Sequence, residues 1–184
     1  IVQSQSWYTT LLTTEELERQ FTNQLHALLM QSLVMGSYPE ATLTPHKETY
    51  LLNLVSDYLL KDILQLGFVK TPDLIKRLLA LLAHQVGAEV SLNELALTLG
   101  IARATVERYL ELLEETFVIF RLPAFSTNPR KEISKSHKIY FWDTGIRNAI
   151  LKEFSLQPLR SDIGALWENF VVAECAKHNL LAGQ

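Results

Sequence analysis

Ser91-Leu-Asn-Glu94-Leu-Ala-Leu-Thr-Leu-Gly100-Ile-Ala-Arg103-Ala-Thr-Val106-Glu-Arg-Tyr109-Leu110-Glu-Leu-Leu113-Glu-Glu-Thr-Phe117 is the stretch on which the fold turns. Ser91 and Glu94 form a capping box, in which hydroxyl and carboxylate satisfy orphan amides at a helix start. The helix they open is short and stops at Gly100, a residue suited to the left-handed close of a helix. A second helix is predicted from Arg103 to Phe117, because Val106, Tyr109, Leu110, Leu113 and Phe117 recur on one helical face. Two helices joined so tightly have helix-turn-helix spacing. The β-rich runs Val118-Ile-Phe-Arg-Leu122 and Lys138-Ile-Tyr-Phe-Trp142 then predict a wing or hairpin. The expectation is a mainly α fold with a winged-helix-like core and a short β wing.

Upstream, Thr71-Pro72-Asp73 supplies an N-cap, a first-turn proline and an early acid, predicting a helix that runs to Val86 and stops at Gly87. Another is predicted from Lys47 to Leu66, closed by Gly67. The first helix opens at the capping box Thr13-Thr-Glu-Glu16 and presents Leu17, Phe21, Leu25, Leu28, Leu29 and Leu33 as one apolar face. Gly36-Ser-Tyr-Pro39 ends it, and a polar loop containing Pro39 and Pro45 leads to His46. Downstream, a short helix from Ile146 to Glu153, a loop with Pro158 and a last helix from Ser161 to His178 are expected. Apolar density falls between Ser126 and Lys135, which divides the chain into residues 1–46, 47–125 and 126–184.

The chain has 184 residues, of which 48% are hydrophobic and 20% charged, with only seven glycines and six prolines. That is an ordered globular composition. A net charge of −3 gives no global attraction to a polyanion, so any nucleic-acid contact must come from a local basic patch. Cys175 is the one cysteine, and its apolar setting reads as a buried helix face, consistent with a reducing cytoplasm. No apolar run approaches the roughly 20 residues that cross a bilayer. The opening residues lack an initiator methionine and a signal pattern, and the last helical pattern has no closing element, so both ends are expected to be interior to a longer protein.

Enzyme motifs are absent from the sequence. A phosphate loop needs a lysine after its second glycine, and no glycine here is followed by lysine. Ile139-Tyr-Phe-Trp-Asp143 resembles a strand ending in a metal-organising aspartate, but reads better as a buried strand with a capping aspartate. The five histidines are scattered singly, without metal-ligand spacing. A metal-dependent nuclease would want paired acids and a nearby lysine. Asp162, Glu168 and Glu174 could contribute acids, but solvated or capping roles are commoner.

The helix-turn-helix invites a DNA reading, because a recognition helix presents its first turn to base edges. From Ala102 to Thr116, Arg103 and Arg108 face Glu107, Glu111, Glu114 and Glu115, so only the N-terminal end of that helix suits a polyanion. Arg130, Lys131, Lys135 and Lys138 form a basic stretch that could grip phosphate. Against this stands a protein-interaction or self-association surface, favoured by the acidic helix.

Several stretches together resemble one family. They are Gly36-Ser-Tyr-Pro39-Glu40, Tyr50-Leu-Leu with Tyr58-Leu-Leu-Lys-Asp62-Ile, Ser91-Leu-Asn-Glu-Leu-Ala with Thr105-Val-Glu-Arg-Tyr-Leu110, and Leu113-Glu-Glu-Thr-Phe-Val118. They continue with Asn128-Pro-Arg-Lys131, Lys135 to Gly145, and Gly164-Ala-Leu-Trp-Glu-Asn169-Phe-Val. In order and spacing the chain resembles the C-terminal region of AAA-type ATPases of bacteria and archaea. The resemblance implies a parent protein that binds ATP and Mg²⁺ through a core outside this chain. Residues 1–46 would then be the end of the ATPase lid and a linker, 47–125 a winged-helix-like domain, and 126–184 the truncated start of a restriction-endonuclease-like α/β domain. The fragment would carry no cofactor and no catalytic residue, and would serve as a DNA-binding or effector module. Arg103, Arg130, Lys131, Lys135 and Lys138 are its candidate DNA contacts and Glu168 its candidate site acid.

Overall fold

The computed structural model describes residues 14–59, 72–123, 137–157 and 160–183. Its helices are α1 (Thr14–Met35), α2 (Pro39–Leu43), α3 (Lys47–Asn53), α4 (Pro72–His84), α5 (Leu92–Leu99), α6 (Arg103–Glu115), α7 (Thr144–Leu151) and α8 (Ile163–Leu181). A π-helical turn, Leu54–Leu59, continues α3. Among the described residues, which are mainly helical, there are three short strands, β1 (Glu89–Val90), β2 (Ile119–Pro123) and β3 (His137–Phe141).

The decisive stretch folds as its residues dictate. Ser91 Oγ accepts the Glu94 N–H at 3.3 Å, and Gly100 takes φ +69° to end α5. The Ile101 N–H then reaches the Ala96 carbonyl at 3.1 Å and the Gly100 N–H that of Leu97 at 3.3 Å, the paired bonds of a Schellman close. Arg77 on α4 donates to the Thr98 carbonyl at 3.0 Å, tying the end of α5 to its neighbour. Val106, Tyr109, Leu110 and Leu113 are buried on the inner face of α6 as predicted, together with Leu112. Phe117 is not. The helix ends at Glu115, and Phe117 takes the left-handed position of a second Schellman close, φ +54°, with its ring 71% exposed.

The strands form an antiparallel sheet in the order β1-β3-β2. Glu89 faces Lys138 on one side of β3, and Phe120 faces Tyr140 on the other. Alternation along β3 sends Ile139 and Phe141 into the main core with α4, α5 and α6, while Tyr140 points to the other face, where α8 lies. A smaller cluster joins Ala41, Leu51, Val55, Ile146 and Ala149 from α2, α3, the π turn and α7.

Four local expectations give way. Leu33 and Val34 are buried, but Leu25 and Leu28 are 50% and 59% exposed, because only the C-terminal part of α1 is packed into the body. Pro39 does not extend a loop but begins the short helix α2, where its missing N–H costs nothing. The helix expected from Lys47 changes to π geometry at Leu54, and its predicted end with Gly67 lies outside the described residues, as do the caps at Thr13 and Thr71. Cys175 is exposed, since α8 buries Leu166, Asn169 and Ala173 on another face. Among the described residues no helix is long and apolar enough to cross a membrane.

Candidate nucleic-acid interface

Arg103 opens α6 with its side chain exposed, and Ala104 and Arg108 are exposed beside it. Ala102 precedes it in extended backbone and makes no side-chain cap. The acidic residues of the same helix divide into two groups. Arg121 on β2 reaches Glu107 at 2.5 Å and Glu114 at 2.6 Å, and its backbone N–H donates to the Glu114 carboxylate at 3.0 Å. Burial lowers the Arg121 pKa, but hydrogen bonds and charge from Glu114 and Glu107 outweigh it and leave the guanidinium above its ordinary value. Glu111 and Glu115 remain exposed. Two of the helix's four carboxylates therefore share one guanidinium on the adjoining strand, which offsets one of their charges, a pairing invisible to a count confined to residues 102–116.

Of the basic stretch, Arg130, Lys131 and Lys135 lie outside the described residues. Lys138 lies on β3, with its Nζ 3.0 Å from Glu168 Oε1 on α8. The Tyr140 hydroxyl donates to the same oxygen at 2.7 Å. The Glu168 carboxyl is held below the usual glutamate value, first by that hydroxyl and then by Lys138. Lys138 is raised, chiefly by its hydrogen bond to Glu168. A candidate phosphate contact and the candidate site acid, reached by separate arguments, are thus one ion pair.

Asp162 and Glu174 do not join Glu168. Asp162 receives Arg147 and Arg160, whose Nε lies 2.6 Å from it, and its pKa falls to about 2, owing first to Arg160. Glu174 pairs with Lys177 at 2.6 Å. Among the described residues no three His, Cys, Asp or Glu side chains are grouped to hold a metal ion.

Sequence reading missed the polar framework behind these residues. Arg147 is buried, with Nε donating to the Ala83 carbonyl at 2.8 Å. Its neighbour Asn148 donates to the Val34 carbonyl at 2.8 Å, holding the end of α1 against α7. Asp143 caps α7 by accepting the Ile146 N–H at 3.0 Å, as the capping reading required, and also accepts the Ser37 N–H at 2.7 Å. Desolvation raises the Asp143 pKa against the lowering effect of those bonds. A Cβ on Gly36 would stand 2.0 Å from Asp143 Oδ1, and one on Gly145 2.2 Å from the Met35 carbonyl. The motifs at residues 36–40 and 143–145 therefore meet in one close-packed joint.

A model described as Domain of unknown function (DUF8612) matches residues 26–157, from the second half of α1 through α7. The chain belongs to the DUF8612 family. Uncharacterized proteins of Mycobacterium bovis and Mycobacterium tuberculosis are each 33% identical to it over 124 residues, covering 66% of this chain and 28% of theirs. One from Haemophilus influenzae is 27% identical over 119 residues, covering 61% of this chain and 30% of its own. The DUF8612 chain thus spans less than a third of the length of these relatives. No solved structure matches it.

Proposed function

We propose that α4, α5, α6 and the three-stranded sheet form a winged helix that binds duplex DNA, with α6 as the helix offered to the groove and the β2–β3 side of the sheet as the wing side. The element order α4-β1-α5-α6-β2-β3 supports the winged-helix part, with β3 lying between β1 and β2. The observation that carries the DNA part is Arg121, which draws Glu107 and Glu114 toward the sheet and leaves Arg103 and Arg108 exposed at the start of α6. In this reading the chain is the non-catalytic effector portion of a larger cytoplasmic AAA-type ATPase, whose ATP and Mg²⁺ site lies elsewhere and whose lid ends in α1.

Fluorescence-anisotropy titration of a labelled duplex at two salt concentrations tests it. Micromolar binding that weakens steeply with salt, and weakens further when Arg130, Lys131, Lys135 and Lys138 are neutralised together, is expected. No binding at low salt, or full binding by the neutralised variant, overturns it.

A second reading, a protein-interaction or self-association surface, is favoured by a row of aromatic rings that ends in exposed Phe117. Phe120 lies 4.5 Å from Trp142 and 5.7 Å from Tyr140, and exposed Phe117 extends the row at 6.2 Å from Trp142. Concentration-dependent dimerisation lost on charge reversal at Glu111 and Glu115, without DNA affinity, would select it.

A further inference from the structure

We infer that Glu168 stands in for a nucleic-acid phosphate, holding Lys138 in reserve so that α8 limits how tightly the wing side of the sheet grips DNA. The inference rests on the DNA reading above and adds a restraint to it.

The two partners are anchored unequally. Glu168 Oε1 accepts from Tyr140, a buried strand residue whose hydroxyl is fixed by its ring packing, and from Lys138, which ends a flexible stem. Gly87 lies beside the acid, where a Cβ would come within 3.3 Å of the carboxylate. If Lys138 leaves, Glu168 keeps its bond to Tyr140 and its access to solvent, so opening the pair strands no buried charge.

The pair is also accessible. Its side chains are 44% and 42% exposed, and an exposed ion pair is worth at most about 1 kcal/mol, so a phosphate oxygen can displace the carboxylate. Lys138 pairs in register with Leu122, one position from the strand ends that lead into the segment carrying Arg130, Lys131 and Lys135. A lysine at that point is placed to reach a phosphate, and Glu168 opposes its doing so.

The test compares the whole chain with Glu168→Gln, Lys138→Ala and the double variant, by anisotropy against one labelled duplex over a range of salt. Glutamine keeps an acceptor for Tyr140; Glu168→Ala covers the case in which that variant does not fold. The acid-free variant is expected to bind about two- to fivefold tighter, the range an exposed pair allows. Its slope of log K against log salt should steepen by about 0.9, the signature of one more phosphate contact. The gain should vanish in the Lys138→Ala background. Equal affinity of Glu168→Gln and the unaltered chain overturns the restraint while leaving the DNA reading intact. A gain that persists without Lys138 also overturns it, since removing any nearby negative charge would then suffice. Absence of binding by all of them overturns the DNA reading, and the restraint with it.

Discussion

The side-chain amide of Asn169 bonds both backbone polar groups of Phe141, accepting from its N–H at 2.8 Å and donating to its carbonyl at 2.8 Å. A helix side chain here does the work of a fourth strand at the end of β3, and everything involved is buried. Asn169→Ala leaves an amide and a carbonyl without partners. Each such group costs about 1–3 kcal/mol, so urea unfolding should show a loss of at least about 2 kcal/mol. A loss below about 1 kcal/mol would mean that the bonds are not holding α8 to the sheet.

Asp162 sets an acid limit on stability. Its folded-state pKa of about 2 lies below its ordinary value of 3.8, so on acidification the unfolded chain takes the proton first. The stabilisation is complete above about pH 4 and is lost as pH falls through about 2. With the carboxylate 27% exposed, the effect is on the order of 1–2 kcal/mol. Asp162→Asn should flatten the pH profile between 4 and 2. At neutral pH it should also cost about 3 kcal/mol, because buried Arg147 and Arg160 lose the carboxylate they share. An unchanged acid limb in that variant would remove Asp162 from the account.

Glycine substitutions should separate close packing from backbone conformation. Gly100 and Gly36 both have positive φ, but an alanine Cβ meets nothing within 4 Å at the first and Asp143 at 2.0 Å at the second. Gly100→Ala should cost about 1 kcal/mol, the left-handed penalty alone. Gly36→Ala and Gly145→Ala should cost about 3 kcal/mol or more, because Asp143 or the Met35 backbone must move. Equal melting temperatures for Gly36→Ala and Gly100→Ala would show that the joint is soft.

Phe117 holds a left-handed conformation that favours glycine, with most of its ring in solvent. Phe117→Gly should therefore be more stable than Phe117→Ala by about 1 kcal/mol, since both lose the ring contact with Trp142 and only alanine keeps the strain. Thermal melts of the pair decide it. Alanine equal to glycine would mean that the backbone relaxes there.

Arg121→Met should make α6 repel a polyanion more strongly, because Glu107 and Glu114 lose the one positive charge they share. A severalfold loss of DNA affinity at low salt, shrinking as salt rises, is the expected titration result. Unaltered affinity would mean that the two glutamates lie too far from the bound duplex to matter.

Local signals were legible in the residues, and their reach was the limit. Ser91, Gly100 and the spacing of Val106 to Leu113 act within a few positions, so α5, α6 and their turn could be read directly. The same logic misplaced Phe117, because helical periodicity does not report where a helix gives out. It overstated the buried face of α1, since periodicity tells which side of a helix is apolar and not how much of its length finds a partner. The Arg121 clamp and the pair of Lys138 with Glu168 join residues on different elements, which neither spacing nor composition encodes. Asp143 was recognised as a cap, but its second bond to Ser37 spans 106 positions and leaves no local trace.

The order β1-β3-β2 has a consequence for assembly. Among the described residues β1 has no strand partner until His137 and Lys138 arrive, and the Leu33 and Val34 carbonyls at the end of α1 have no side-chain donor until Asn148 does. The helices from α4 to α6 can collapse on neighbours close in sequence, whereas the sheet and the α1 joint must wait for large loops to close. On a ribosome α1 would thus emerge well before it can dock, exposing its apolar stripe to solvent or chaperone while more than a hundred further residues are added.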